Sequence, residues 1–179
     1  MVCGVLLAST LATWRGAAQT PSKRQVYVTV TDPQGRIVTG LDRSHFEVVE
    51  NGIPRTITGF TGANYPIAAA IVGSEPLGDP PALRLGDLLI QTRSLADAVR
   101  QLEASGLDRK VIVAATAAET DSIPAGVEFI QTDSAGLQKT MLRLQNQYRL
   151  EFDSELPSAG IEVVVAKPAG MPPLTTSWN

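Results

Sequence analysis

Apolar and polar residues alternate with period two from Val26 to Thr31. Val26, Val28 and Val30 fall on one side, and Tyr27, Thr29 and Thr31 on the other. That pattern, rich in β-branched residues, predicts a half-buried strand. Asp32-Pro33-Gln34-Gly35 predicts a turn, because Asp opens it, Pro fixes φ and Gly accepts a positive φ. Arg36-Ile37-Val38 is a short extended piece. Phe46-Glu47-Val48-Val49-Glu50 then runs into Asn51-Gly52, a strong signal for a two-residue hairpin. Ile53 to Phe60 is the return strand, and Pro54 places its start at a sheet edge. These strands are too few to close two sheets alone, so they predict a fragment of a β-sandwich.

After Tyr65-Pro66 the pattern changes. Ile67-Ala68-Ala69-Ala70-Ile71-Val72 is continuously apolar, as suits a strand covered on both faces of a parallel sheet. A Pro- and Gly-rich loop follows, and Leu88-Leu89-Ile90 predicts a short strand. Residues 94–104 predict a helix, with Ser94 as N-cap, Leu95, Ala98, Val99 and Leu102 on one face, and Gly106 ending it. Arg109-Lys110-Val111-Ile112-Val113 and Val127-Glu128-Phe129-Ile130 predict two more strands. A second helix from Ser134 carries Leu137, Met141, Leu144 and Tyr148 along one stripe. The middle of the chain thus predicts a small three-layer α/β unit with a mostly parallel sheet.

The end is extended again. Residues 148–152 alternate, residues 156–160 turn, and residues 161–165 return, which suggests another hairpin. Either set of terminal strands alone would leave open apolar edges. The predicted fold class is therefore a two-part α+β architecture. Residues 22–63 and 147–179 build one β-sandwich, and a reduced Rossmann-like α/β domain over residues 64–146 is inserted between them.

Residues 1–18 read as a secretory signal peptide. Val5 to Ala12 form a short apolar run, and Gly16-Ala17-Ala18 offer a cleavage site. No Lys or Arg precedes the run; a start upstream of Met1 would supply one. The run is too short to span a bilayer, and no later segment reaches the length needed. The expected location is therefore periplasmic or extracellular. Cys3 is the only cysteine, and it leaves with the signal, so the mature chain is expected to form no disulfide or thiolate metal site.

Of the 179 residues, 44% are hydrophobic and 18% charged, an ordinary globular balance, whereas aromatics at 5% leave the core to Val, Ile, Leu and Ala. The net charge is −3, and Lys23-Arg24 is too short a basic run to mark a nucleic-acid interface. His45, the only histidine, lies in the polar loop Asp42-Arg43-Ser44-His45 with no nucleophile elbow in the chain, so it reads as a solvated loop residue. Glu75, Asp79 and Asp87 fit no calcium-loop spacing and read as solvated acids. Glu119-Thr120-Asp121-Ser122 reads as a polar loop at the ligand-binding edge of the sheet. The glycines are spaced as turns, not as a phosphate loop. Trp178 is expected to pack on the sandwich.

In order, Val28-Thr29-Val30-Thr31-Asp32, Val38-Thr39-Gly40-Leu41, His45 to Gly52, Tyr65-Pro66-Ile67-Ala68, Arg109 to Val113, and Gln147-Tyr148-Arg149-Leu150-Glu151-Phe152 resemble segments of one family. That family is the bacterial secreted proteins with a von Willebrand factor A-related domain. The resemblance implies an A-type domain whose Asp-x-Ser-x-Ser loop, a Thr and a later Asp hold a divalent cation that bridges to a partner's carboxylate. The chain departs from this pattern. Ser74 stands at the Asp position, Pro76 and Gly78 at the two Ser positions, and Ala117 at the later acid; Arg93 or Ser94 falls near the Thr. The chain is also shorter than the family between Val72 and Ser94. The resemblance thus implies a degenerate adhesion site with no metal, no cofactor and no catalytic residue. Ser74, Glu75, Thr116, Glu119 and Asp121 are its possible ligand-facing loop residues, and a protein is the implied partner. Two alternatives stay open: a vestigial truncated relative with no partner, and a metal-dependent adhesion domain whose ligands are not evident.

Overall fold

The computed structural model describes residues 22–73, 82–116, 122–154, 160–165 and 171–178. In chain order the strands and helices are β1 (Ser22–Thr31), β2 (Phe46–Glu50), β3 (Ile53–Arg55), β4 (Ile57–Thr61), β5 (Ile67–Val72), β6 (Leu88–Thr92), α1 (Leu95–Ala104), β7 (Arg109–Ala114), β8 (Val127–Gln131), α2 (Ser134–Gln145), β9 (Tyr148–Ser154), β10 (Ile161–Val165) and β11 (Thr175–Trp178). They form a mixed structure of two antiparallel sheets and one parallel sheet, with the two helices beside the parallel one.

The first antiparallel sheet has the order β11-β1-β9-β4, and the second β10-β2-β3. They share one apolar cluster. Val26, Val28, Val30, Leu150 and Phe152 enter it from the first sheet, and Phe46, Val48 and Val163 from the second. The Tyr148 ring lies 4.9 Å from that of Phe46, centroid to centroid, inside the same cluster. Strands from both ends of the chain therefore interleave. β9 lies between β1 and β4, and β10 pairs with β2 in antiparallel register, Val163 opposite Val48.

Local chemistry sets the turns. Asn51 and Gly52 have φ of 50° and 80°, the left-handed pair that a type I′ turn requires and that Asn-Gly tolerates. The Asn51 side chain also accepts from the Gly160 N–H at 2.9 Å, which anchors the residue just before β10. The Asp32 carboxylate accepts from the N–H groups of Gln34 and Arg36 at 3.0 and 2.9 Å, and so closes the turn after β1. The chain breaks at Thr56 and moves from the second sheet to the first. Pro54 sits on β3, an edge strand, where its missing N–H costs no ladder bond.

The third sheet is parallel throughout, with order β6-β5-β7-β8. Ile67, Ala69, Ile71, Val111 and Val113 point to one face and meet Leu137, Met141 and Leu144 of α2. Ala68, Ala70, Ile90 and Ile112 point to the other and meet Ala98 and Leu102 of α1. The alternation of faces along an apolar run is what a strand covered on both sides needs. Ser94 caps α1, its hydroxyl accepting from the Asp97 N–H at 3.3 Å.

Four details differ from the sequence pattern. The return strand expected from Ile53 to Phe60 is two strands, because the break at Thr56 sends β3 and β4 to different sheets. Residues 148–152 and 161–165 are not a hairpin. β9 and β10 lie in different sheets, because β9 fills the gap between β1 and β4 while β10 extends β2. Tyr148 belongs to β9 and the sandwich core, not to the stripe of α2, since the helix ends at Gln145 with Asn146 as its cap. Trp178 lies on the edge strand β11 and is 40% exposed rather than packed. Residues 1–18 lie outside the described residues. Among those described, no helix is long and apolar enough to cross a membrane.

Candidate functional site

The carboxyl ends of β5 to β8 form the edge where ligands bind in parallel sheets. Both helices start there. The Thr92 hydroxyl oxygen accepts from the Ser94 N–H at 3.2 Å, and the Asp133 carboxylate accepts from the Gly136 N–H at 2.7 Å. Backbone bonds from Gly73 N–H to the Thr92 carbonyl and from Thr132 N–H to the Ala114 carbonyl carry the strand pairings one residue further. Thr116 is exposed two residues past β7. Ser74, Glu75, Glu119 and Asp121, with Pro76, Gly78 and Ala117, lie outside the described residues. The structure therefore places Thr116, Arg93 and Ser94 at this edge. The hydroxyls of Thr92 and Ser94 serve to start α1.

Of the remaining candidates, His45 closes a 3-10 turn (Arg43–His45). The Asp42 N–H donates to its Nδ1 at 3.3 Å while the Asp42 carboxylate accepts from Ser44. The Ser44 hydroxyl bond is the main cause that holds the Asp42 carboxyl below its ordinary value. Asp87 is not a solvated acid. Its side chain is fully buried and accepts from the N–H of Ile67 at 3.1 Å, of Arg84 at 3.0 Å and of the Gln145 amide at 2.9 Å. It thereby ties the start of β5 to the end of α2. Asp79 lies outside the described residues. Among the described residues no group of three or more His, Cys, Asp or Glu side chains could hold a metal ion.

Two buried polar clusters join the parts of the molecule. Glu50, with 0% exposure, accepts from Arg55 Nε at 2.8 Å on its own sheet, and from Arg24 Nη1 at 3.1 Å and Ser154 Oγ at 2.5 Å on the other. Burial works against its charge, but the Ser154 hydroxyl and the two guanidinium groups outweigh it and hold the carboxyl below its ordinary value. Arg109, 3% exposed, opens β7. Its guanidinium stacks 3.8 Å above the Tyr27 ring of β1, pairs with Glu128 of β8 and donates to Gln147 Oε1 at 3.0 Å. Burial pushes the phenols of Tyr27 and Tyr65 up, against the opposing pull of Arg109.

The pattern signalled one of these clusters. Phe46, Val48 and Glu50 share the inward phase of β2, and a carboxylate in that phase demands buried cations. Arg109 and Gln147 give no comparable signal, because their partners lie far away in sequence. No family model, curated protein or solved structure matches the chain.

Proposed function

We propose that the chain is an exported, non-enzymatic protein-interaction module, a shortened relative of the von Willebrand factor A-related proteins that binds a protein partner without a bridging cation. One observation carries this reading. The segments that resemble the family fall at the joints of the architecture: Arg109 and Gln147 touch each other at the junction of the third sheet with β1, and Tyr148 pins the loop of residues 38–41. Three of the resembling segments, far apart in the sequence, thus meet in these contacts.

Two further observations support it. The Ser94 hydroxyl, near the family's Thr position, caps α1. The buried acids Glu50 and Asp87 serve as connectors between elements, not as reactive groups. The reading involves no cofactor, no nucleic acid and no membrane insertion of the mature chain. The test is affinity capture from the extracytoplasmic fraction with the full chain as bait, with and without EDTA. The expected result is one stoichiometric partner, retained equally in both. Loss of the partner with EDTA would instead favour metal-dependent adhesion. A chain that captures nothing and melts near ambient temperature would be a vestige.

A further inference from the structure

The outer face of the first sheet is only partly covered by the α/β unit. Between that face and α2 runs an open groove of about 730 Å³. Thr29 and Ser177 stand opposite each other on β1 and β11 and line one side; Lys139, Leu142 and Arg143 line the other. Arg36 adds a third cation at the rim, paired with Asp32 at 2.7 Å. No lining residue is an acid, although the chain as a whole carries a charge of −3. Lys139 and Arg143 have no anionic partner among the described residues.

Two buried atoms here are unsatisfied. Thr29 is 2% exposed and its hydroxyl has no hydrogen-bond partner, and the Nε of Arg143 is also buried without an acceptor. Buried polar groups normally have partners, so the Thr29 hydroxyl left without one beside two unpaired cations points to an acceptor that comes from outside, whereas the Arg143 Nε shares its state with Nε of Arg84, Arg109 and Arg149. Leu142, 55% exposed, stands one turn on from Lys139 and lines the groove with the two cations, where it gives a ligand an apolar contact.

We propose that this groove binds an extended acidic segment of a partner polypeptide, with carboxylates set on Lys139 and Arg143, an apolar side chain on Leu142, and an acceptor on the Thr29 hydroxyl. The volume is far larger than a lone carboxylate or phosphate needs, and the exposed leucine beside the cations asks for an apolar group next to the acids. The inference rests on the reading of the chain as an interaction module, and it adds the surface and the chemistry of the partner.

The test is fluorescence anisotropy of a labelled octapeptide of repeating Glu-Glu-Leu-Leu, which sets carboxylates and leucines together on each face of an extended chain, titrated with the full chain. The expected result is saturable binding that weakens as salt rises. The double reversal K139E/R143E should weaken it by more than about tenfold, since like charges would then face each other. T29V should weaken it by about threefold without lowering the melting temperature, because it removes a hydroxyl that the fold itself leaves unpaired. Arg100→Glu on α1, across the third sheet, should change nothing. The proposal is overturned by no saturable binding at millimolar concentration, by equal binding of a Gln-Leu peptide, by binding that survives K139E/R143E, or by inorganic phosphate binding as tightly as the peptide. Undiminished capture of the extracytoplasmic partner by K139E/R143E would also reject the groove, yet leave the module reading intact. Peptide binding with no captured partner would do the reverse.

Discussion

Tyr148 holds the backbone of Leu41 across 107 positions of sequence: the Leu41 N–H donates to its phenolic oxygen at 3.1 Å. The same hydroxyl donates to the Val38 carbonyl at 3.0 Å. One buried side chain at the start of β9 thus satisfies two backbone groups of the loop that leads into β2. Tyr148→Phe keeps the ring in the aromatic cluster and orphans both groups. It should cost about 1–3 kcal/mol in urea unfolding. Hydrogen exchange should show faster opening of the Leu41 amide than of β1.

Glu50 gives the molecule a defined response to acid. Its folded pKa lies below the ordinary value of 4.5. Its contribution to stability is therefore complete above about pH 4.5 and is lost as pH falls through the lower folded value. Glu50→Gln leaves Arg24 and Arg55 without their counter-charge and should cost about 3 kcal/mol at neutral pH, near the low end for a broken buried pair because both guanidinium groups reach some water. Denaturation of the two proteins across pH should show the gap between them narrowing below about pH 4.5.

Arg109 makes three contacts that need a planar guanidinium: the stack on Tyr27, the pair with Glu128 and the bond to Gln147. A lysine at that position keeps the charge and loses the fork and the stack. Arg109→Lys should therefore destabilise by about 2 kcal/mol. Tyr27 fluorescence should report the loosened junction.

The N-terminal strands should not fold alone. β4 has β9 as its partner in the first sheet, and β1 lies between β9 and β11. A fragment of residues 22–63 lacks both partners and should give the poorly dispersed amide spectrum of an unfolded chain. Adding a peptide of residues 147–178 in trans should not fully restore it, because the junction through Arg109 would still be missing.

Much of this fold was legible in the sequence. The alternation at Val26, Val28 and Val30, the Asn51-Gly52 turn and the Ser94 cap are local signals, and each forms as its chemistry requires. Strand partners are another matter. Period two says which face a residue takes and nothing about which strand lies beside it, so β9 and β10 looked like a hairpin. β11 was invisible because Thr175-Thr176-Ser177-Trp178 has no apolar alternation. The groove was hidden for a similar reason: Thr29 falls on the polar side of β1, where period two predicts exposure, yet the fold buries it. Of the five loop residues expected to face a ligand, Thr116 alone is among the described residues.

The claim of contact without a bridging cation is tested most directly by calorimetric titration of the full chain with Mg²⁺. A hard cation needs several oxygen ligands, and under the proposed family relationship Ser74 and Ala117 would occupy the positions of two acids. The account predicts no binding isotherm at millimolar Mg²⁺ and an unchanged melting temperature. A saturable isotherm, with a melting temperature that climbs with Mg²⁺ as linkage requires, would contradict it and return the chain to metal-dependent adhesion.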